Sequence, residues 1–392
     1  MLKEWKKDKK TVFVALSGGV DSSVAALLLK KQGYYVVGVF MRCWRDDIAT
    51  SAGKSCMEKD AEDARKVAEQ LEIPFYVWDF EKEYKKRVVD YMVDGYRKGI
   101  TPNPDVMCNK EIKFGLFLEK ALKMGADYVA TGHYVKLGLR IKNLEYRERN
   151  KKLPSLNPKF YILYSARDLN KDQSYFLWTL TQDQLKYCLF PIGDYLKSEV
   201  RKIAKKANLL TAEKKDSQGI CFLGKVTLDE FLGKYIPEKK GDILLASTGK
   251  KIGEHKGAHF YTIGQRHGLG ISGGPYYITE KDVKKNIIKV AEAKNEALYK
   301  KEIALTDVNF VNANMSALIR ANRRIDVLVR VRYRQPLISA TLKIENSKLS
   351  ARGGSAKGGK IEFDAPVKFV ASGQSAVLYN KKGEMLGGGV IK

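Results

Sequence analysis

The segment "ALSGGVDSS" places two glycines between an apolar run and a helical pattern. The apolar run Thr11–Leu16 predicts a buried strand, and the pattern Val20–Gln32, which ends at Gly33, predicts a helix. A loop between two such elements can direct several backbone N–H groups at an anion, and the helix N-terminus adds a favourable partial charge. This stretch therefore predicts a strand–loop–helix unit that binds phosphate.

The residue types of the loop narrow the class of phosphate site. Gly18 and Gly19 allow a ligand to approach the backbone closely, and Ser17, Ser22 and Ser23 offer hydroxyl donors. The stretch lacks the Gly-Lys-Ser/Thr sequence of a Walker A loop, which excludes the kinase and GTPase type of site. It also lacks the G-x-G-x-x-G pattern, which disfavours a dinucleotide-binding fold.

Apolar runs and amphipathic patterns alternate over the first part of the chain. Buried strands are predicted at Tyr34–Met41, Pro74–Phe80 and Ala126–Tyr134, with helices between them. Such alternation predicts an α/β fold with a parallel sheet and helices on both faces. After about Phe222 glycines and short β-rich runs dominate, and from about Lys301 they predict a small antiparallel barrel or sandwich. We therefore expect three domains, at 1–222, 223–298 and 299–392.

The balance of charge points to a polyanionic partner. The 392 residues include 71 Lys and Arg against 45 Asp and Glu, so the formal net charge is +26. This excess favours nucleic acid over a membrane surface, with a general lysine bias as the alternative. The stretch "MLKEWKKDKK" is charged, and no run approaches the roughly 18 apolar residues of a membrane helix. We therefore expect no signal peptide, no membrane span and a cytoplasmic protein.

Two of the five cysteines stand in polar contexts. Cys108 lies in "NPDVMCNKEIKFG" and Cys221 in "DSQGICFLG", which predict loops rather than helix faces. A thiolate can carry a persulfide sulfur, and a second thiolate can attack it and leave a disulfide. The other cysteines form no C-x-x-C pair and the four histidines complete no zinc pattern. We therefore predict no metal site built from these side chains, and structural roles for Cys43, Cys56 and Cys188.

The Ser-Gly-Gly-x-Asp-Ser pattern resembles the pyrophosphate-binding loop of N-type ATP pyrophosphatases. Eight phrases, spread in order along nearly the whole chain, together resemble the bacterial tRNA-specific 2-thiouridylase family. They are "ALSGGVDSS", "TPNPDVMCNKEIKFG", "ATGHYV", "KDQSYFL", "DSQGICFLG", "FYTIGQRHGLGI", "RVRYRQ" and "GQSAVLYN…LGGGVI". The resemblance implies an adenine nucleotide alpha hydrolase-like N-terminal domain, a small β-rich central domain and a C-terminal antiparallel β-barrel.

The resemblance also implies a reaction. ATP, with Mg²⁺, adenylates the C2 oxygen of the wobble uridine of tRNA, and persulfide sulfur received from a donor protein replaces that oxygen. Cys221 carries the persulfide, and Cys108 is the partner nucleophile, which leaves a Cys108–Cys221 disulfide for later reduction. Asp105 is the expected acid/base beside the target base.

By the same resemblance, further positions bind the substrates. The residues expected to hold the nucleotide are Ala15, Leu16, Ser17, Gly18, Gly19, Val20, Asp21, Ser22, Met41 and Gly132. Those expected to surround the flipped uridine or to contact the tRNA elsewhere are Asn103, Pro104, Asp105, Lys171, Asp172, Gln173, Arg332 and Tyr333.

Two alternatives remain open from the residues alone. The same loop could serve an amidating synthetase that uses ammonia, or it could be the relic of a nucleotide fold in an RNA-binding protein.

In a strand, Arg330, Arg332 and Arg334 would share one face as a phosphate-binding stripe, and Tyr333 would point the other way and be packed. The basic segment 138–159 is expected to be irregular.

Overall fold

The computed structural model describes residues 9–44, 56–141, 159–216, 226–312, 315, 318–319, 324–344 and 354–392. A five-stranded parallel sheet forms the centre of the N-terminal domain, in the spatial order β3–β2–β1–β4–β7. Its strands are β1 (Thr11–Ala15), β2 (Tyr35–Arg42), β3 (Phe75–Asp79), β4 (Tyr128–Ala130) and β7 (Cys188–Leu189), whereas β5 (Lys136–Ile141) and β6 (Lys159–Tyr164) pair as a separate hairpin.

Helices cover both faces of this sheet. Side chains alternate along β1, so that Val12 and Val14 face one apolar core while Phe13 and Ala15 face the other. Burial on both faces explains why the sequence of this strand is a continuous apolar run. The helices of the described residues are α1 (Val20–Lys31), α2 (Cys56–Gln70), α3 (Glu81–Tyr84), α4 (Asp90–Arg97), α5 (Pro104–Met107), α6 (Leu118–Lys123), α7 (Gln182–Leu185), α8 (Lys197–Lys206) and α9 (Leu228–Gly233).

Two π-helical stretches join consecutive helices. Lys85–Val89 connects α3 to α4, and Cys108–Phe117 connects α5 to α6. Asn103 begins the second of these composite helices, because its side-chain oxygen accepts a hydrogen bond from the backbone N–H of Val106, and Pro104 occupies the first turn. The predicted loop around Cys108 is therefore wrong. The Asn and Pro residues that suggested a loop are helix-start signals here.

The central and C-terminal parts are β-rich. A four-stranded sheet contains β8 (Gly241–Leu245), β9 (Lys251–His255), β10 (Tyr276–Asp282) and β11 (Ile287–Glu292). A closed antiparallel barrel follows, with β12 (Tyr299–Phe310), β13 (Arg324–Arg330), β14 (Ile338–Ile344), β15 (Gly354–Lys368), β16 (Ser375–Tyr379) and β17 (Met385–Ile391). The domain boundaries stay predictions.

The barrel packs directly on the segment that leads into Cys108. The Thr101 N–H donates to the Ser372 carbonyl at 2.8 Å, and the Gln374 side chain donates to the carbonyls of Thr101 and Pro102 at 2.9 and 3.2 Å. Gly373 has φ +89°, and a side chain there would meet the Thr101 backbone at 2.9 Å. Only glycine allows the two segments to approach so closely.

Two further features concern the basic segment and the lengths of the helices. Residues 136–141 and 159–164 form the β5–β6 hairpin, so both ends of the basic segment 138–159 are regular, and its residues 142–158 lie outside the described part. Within the described residues, every helix is too short or too polar to cross a membrane.

Candidate active site

The glycine-paired loop lies between β1 and α1, as the sequence predicts. Gly18 has φ +72°, and a side chain there would meet the Asp60 carbonyl oxygen at 2.3 Å. The Ser22 hydroxyl accepts a hydrogen bond from the Ser17 N–H at 3.1 Å and donates to the Gly19 carbonyl at 3.0 Å. Among the described residues no side chain caps α1. The loop is thus braced from within, and the first N–H groups of the helix remain available to an anion.

A cavity of about 310 Å³, which we call the nucleotide cavity, opens beside this loop. It brings together residues from the ends of β1, β2 and β4 and from the helix that begins at Asn103. The sequence-predicted residues that line it are Ala15, Leu16, Ser17, Asp21, Ser22, Met41, Cys108, Gly132 and Gln173. Gly18, Gly19 and Val20 belong to the loop but do not line the cavity. This position, outside the carboxyl ends of parallel strands, is where open α/β sheets bind ligands.

Gly132 permits the close approach of the chain after β4 to the start of α1. A side chain at this position would meet the Ser22 nitrogen at 2.7 Å and the Asp21 carbonyl carbon at 2.8 Å. The backbone of α1 therefore occupies the space that any other residue would need. A glycine in "ATGHYV" is required by packing against the loop, in addition to the nucleotide contact expected of it.

Asp21 is held by two donors from distant parts of the chain. The Tyr134 hydroxyl donates to its carboxylate at 2.8 Å, and the Lys197 ammonium contacts both carboxylate oxygens at 2.7 and 2.8 Å. Burial and the Asp21 charge raise the pKa of the Tyr134 phenol, which keeps that group a donor. The loop has no lysine of its own, but α8 places one beside it. The sequence interpretation missed Lys197, because no local signal links it to a loop 176 residues away.

A second carboxylate extends this charge network. Asp216 contacts Lys197 and Arg201 at 2.8 Å and Lys171 at 2.7 Å. Partial burial raises the pKa of Asp216, but hydrogen bonds from Lys171 and Lys197 outweigh burial and lower it to about 2. Asp216 therefore stays ionised at neutral pH and fixes three cations between the loop and the "KDQSYFL" segment.

His133 is a neutral side chain on the cavity wall. It is 7% exposed, and its Nδ1 lies 2.6 Å from the Thr131 hydroxyl. Burial, with a smaller effect of the Lys113 ammonium, lowers its pKa well below the usual range. The imidazole is therefore uncharged at neutral pH and can offer hydrogen bonds without adding charge to the cavity.

Cys108 is 4% exposed and lines the nucleotide cavity from the opening turn of the π-helical stretch. Helical irregularities of this kind are frequent at functional sites. Cys43, predicted to be structural, also lines the cavity, whereas Cys188 is 2% exposed on β7, where burial raises its thiol pKa. Cys221 and residues 217–225 around it lie outside the described part of the chain.

The residues expected around the target uridine precede Cys108. Asn103 and Pro104 are buried, and Asp105 is half-buried on α5, one helical turn from Cys108. None of the three lines the nucleotide cavity among the residues described. Their contact with a uridine stays a prediction.

The segment expected to contact tRNA contains one deeply buried carboxylate. Asp172 is 1% exposed; its carboxylate accepts hydrogen bonds from the backbone of Ala166 and Ser174 and pairs with Arg330 at 3.1 Å. This side chain joins the N-terminal domain to the barrel, and its burial leaves the carboxylate no surface for the tRNA contact expected of Asp172. Gln173 lines the cavity and accepts a hydrogen bond from the Tyr134 N–H at 2.9 Å.

The arginine stripe predicted on one strand face does not form. Strand β13 ends at Arg330, which is buried against Asp172, and the chain turns after it, with Arg334 at φ +64°. Arg332 is half-buried and donates to the Ile263 carbonyl at 3.4 Å. Tyr333 packs against Phe176 with ring centroids 4.5 Å apart, although not from a strand. The tRNA contacts expected of Arg332 and Tyr333 stay predictions.

The oxygen ligands of the loop suit Mg²⁺. The Asp21 carboxylate and the hydroxyls of Ser17 and Ser22 line the cavity where the phosphates would lie; Asp60 also lines the cavity, but its carboxylate pairs with Lys214. Mg²⁺ in nucleotide sites is typically held by one or two carboxylates together with phosphate oxygens and water. The residues present therefore fit a Mg²⁺–pyrophosphate group.

Three protein families match successive parts of the chain. Residues 10–225 match the tRNA methyl transferase HUP domain, residues 229–292 the tRNA methyl transferase PRC-barrel domain, and residues 300–391 the aminomethyltransferase beta-barrel domain. Together with the parallel N-terminal sheet and the closed barrel, these matches confirm the predicted fold class.

Curated relatives match almost the full length. The tRNA-specific 2-thiouridylase MnmA of Christiangramia forsetii is 42% identical over 97% of this chain and 100% of its own length. The MnmA 2 protein of Geobacillus kaustophilus is 44% identical over 97% of this chain and 94% of its own, and MnmA of Bacillus subtilis is 43% identical over 99% and 96%. The family descriptions mention methyl transfer, but these full-length relatives are named for thiolation. The chain belongs to the tRNA-specific 2-thiouridylase family.

Proposed function

We propose that this protein is a tRNA-uridine 2-sulfurtransferase that uses ATP to convert the wobble uridine of tRNA to 2-thiouridine. The observation that carries the proposal is the cavity that is lined both by Ser17, Asp21 and Ser22 of the glycine-paired loop and by Cys108. A nucleotide loop alone is compatible with many kinds of adenylating enzyme. A thiol in the same cavity supports sulfur as the incoming atom, because thiolates are the side chains that carry and transfer sulfur.

The first step is adenylation. The uridine O2 attacks the α-phosphorus of ATP, the bond to the β-phosphate oxygen breaks, and pyrophosphate leaves. Ser17, Ser22 and the first N–H groups of α1 hold the departing pyrophosphate. The Asp21 carboxylate and the Lys197 ammonium supply the fixed charges at this end of the site. Bound Mg²⁺ would neutralise part of the pyrophosphate charge. Asp105 is the acid/base that takes and returns the uridine N3 proton.

The second step is sulfur transfer. The terminal sulfur of a Cys221 persulfide attacks C2 and forms a C–S bond. The Cys108 thiolate then attacks the Cys221 sulfur, which breaks the S–S bond to the transferred atom and leaves a Cys108–Cys221 disulfide. AMP departs with the former O2, so that 2-thiouridine results. A thiol reductant supplies two electrons to restore both cysteines.

The partners follow from this chemistry. The sulfur comes from a persulfide donor protein. The tRNA is held through Asn103, Pro104 and Asp105 at the uridine, through Lys171 and Gln173, and through Arg332 and Tyr333 in the barrel. Regeneration of two thiols requires a reducing compartment, which supports a cytoplasmic location.

Cysteine variants test the function. With ATP, tRNA and a persulfide donor, Cys108→Ser and Cys221→Ser should each lose 2-thiouridine formation, measured by mass spectrometry of the tRNA nucleosides. Cys108→Ser should still release pyrophosphate, because adenylation needs no thiol. Cys188→Ser is the matched control and should keep both activities, although its buried thiol requires a check of thermal stability. Undiminished 2-thiouridine formation by Cys221→Ser would contradict the proposed role of that residue.

The two alternatives make different predictions. An amidating synthetase would form product from ammonia in the Cys108→Ser/Cys221→Ser double variant. A relic nucleotide fold would bind RNA but release no pyrophosphate from ATP in the presence of tRNA. The thiol beside the nucleotide loop argues against both, since neither activity needs it.

A further inference from the structure

A second cavity, of about 580 Å³, lies where the three parts of the chain meet. Gly99 and Thr101, after α4, line one side. The hairpin of β10 and β11 lines another, and residues 370–372 of the barrel close the third. None of the residues assigned to the nucleotide cavity lines this one. It is a separate site at a junction of domains, a place where ligand sites are common.

The charge of this cavity is strongly positive. Five lysines and two carboxylates line it, which leaves an excess of three positive charges. Lys289 pairs with Glu280 at 2.8 Å. Within the described residues, the other four lysines have no carboxylate within 4.0 Å; they are Lys98, Lys281, Lys284 and Lys300. We call this group with its surroundings the lysine cavity.

Lys281 is the most constrained of these side chains. Its ammonium is partly buried and donates to the Tyr261 carbonyl at 2.7 Å. Burial lowers its pKa to about 8, and among the described residues no carboxylate lies within 4.0 Å of this ammonium to offset its charge. A cation withdrawn from water without a counter-charge destabilises the fold, and an anion in the adjacent cavity would supply that counter-charge.

The lysine cavity lies between two segments that are proposed to contact tRNA. Ile263 lines it, and the carbonyl of Ile263 accepts a hydrogen bond from Arg332 at 3.4 Å. Thr101 also lines it and is followed by Asn103 and by the helix that leads to Cys108. A strand of RNA that reaches both segments would pass this cavity.

We propose that the lysine cavity binds a phosphate group of the RNA backbone. The identification of that RNA as tRNA rests on the proposed function. Lysine ammonium groups are flexible point charges that suit phosphodiester contacts without base readout. The lysines come from all three parts of the chain, so an RNA phosphate bound here also bridges the domains.

Exposed lysines provide the first test. The double variant Lys98→Gln/Lys284→Gln removes two cavity charges at exposed positions, and Lys239→Gln/Lys250→Gln removes two exposed charges outside the cavity. Dissociation constants for tRNA are measured over a range of salt concentrations. The cavity variant should weaken binding roughly tenfold near physiological salt and reduce the magnitude of the log–log salt slope by about one, the value for one lost phosphate contact. The control should change both values little.

A buried lysine provides the second test. Lys281→Met should retain the fold, verified by thermal unfolding, and should also weaken tRNA binding. In parallel, inorganic phosphate and pyrophosphate are titrated into the wild-type protein and into Lys281→Met, with the unfolding temperature as readout. Saturable stabilisation of the wild type by these anions that Lys281→Met loses, with unchanged tRNA affinity in both lysine variants, would identify a small-anion site in the lysine cavity and overturn the proposal.

The remaining outcomes separate this proposal from the function. Equal tRNA affinity and salt slope in the cavity and control double variants would overturn it, as would a wild-type protein without measurable tRNA affinity. Lysine-dependent tRNA binding by a protein that forms no 2-thiouridine would support the lysine cavity and refute the proposed reaction. Normal 2-thiouridine formation with unchanged tRNA binding in all lysine variants would support the proposed reaction and refute the lysine cavity as an RNA site.

Discussion

The variant Lys197→Met removes the ammonium that joins the nucleotide loop to the network around Asp216. In the structure this ammonium lies 2.7 and 2.8 Å from the Asp21 oxygens and 2.8 Å from Asp216. Without it, Asp21 retains the hydrogen bond from Tyr134, and Asp216 retains Lys171 and Arg201. Two carboxylates would then face each other across the vacated space. We expect Asp21 to move away from the position in which it serves the loop.

The cost follows from burial. Loss of one partner of a fully buried ion pair costs about 3–5 kcal/mol, whereas exposed pairs contribute at most about 1 kcal/mol. The side chains of Lys197, Asp21 and Asp216 are 12%, 32% and 25% exposed, which places this network between the two limits. We therefore expect a loss of about 2 kcal/mol. Added to the activation free energy of adenylation, a loss of this size slows pyrophosphate release by roughly thirtyfold.

The assay is tRNA-dependent pyrophosphate release, followed together with thermal unfolding. Lys197→Arg keeps the charge and should recover part of the rate. Lys202→Met, on the exposed face of the same helix, is the matched control and should behave as the wild type. Wild-type pyrophosphate release by Lys197→Met, or an equal loss in Lys202→Met, would refute the assignment of Lys197 to the loop.

Three further predictions concern contacts that support the site. Arg330→Met leaves the Asp172 carboxylate buried without its cation and should lower the free energy of unfolding by about 3 kcal/mol in urea titrations; an unchanged midpoint would contradict the structural role of this pair. Because the folded-state pKa of Asp216 is about 2, below its ordinary 3.8, its stabilisation is present above pH 4 and lost as the pH falls towards 2. The difference in unfolding temperature between the wild type and Asp216→Asn should therefore shrink over that interval, and a constant difference would argue otherwise. Gln374→Ala removes the hydrogen bonds to the carbonyls of Thr101 and Pro102 and should slow 2-thiouridine formation several-fold at unchanged unfolding cooperativity, whereas a wild-type rate would show that the barrel does not position this segment.

The nucleotide loop was predictable because its determinants are local. A buried strand, two glycines and a helix start within nine residues leave few conformations, and the structure places this loop against the cavity as expected. The parallel sheet followed in the same way from continuous apolar runs. The expected loop around Cys108 failed because Asn and Pro serve both loops and helix starts. Here Asn103 caps the helix, so Cys108 lies within a helix that lines the cavity.

The arginine stripe failed for a different reason. Alternate residues share one face of a strand only as far as the strand continues. Strand β13 ends at Arg330, so Arg332 and Arg334 do not belong to it. The last residue of the strand, Arg330, is buried in a tertiary contact with Asp172, 158 residues away, and so is not available to a surface stripe. The sequence contains both residues but no local pattern that pairs them.

The sequence by itself determined the strand–loop–helix unit, the alternation that forms the parallel sheet, the basic charge and the two cysteine motifs, because each depends on neighbouring residues. Only the tertiary structure decided which lysine stands beside a loop that has none. Lys197 reaches Asp21 because α8 packs against α1, and no periodicity in either helix encodes that meeting. The lysine cavity likewise exists only because three domains enclose it. Contacts of this kind arise from packing between distant elements, and so they become visible only in the folded chain.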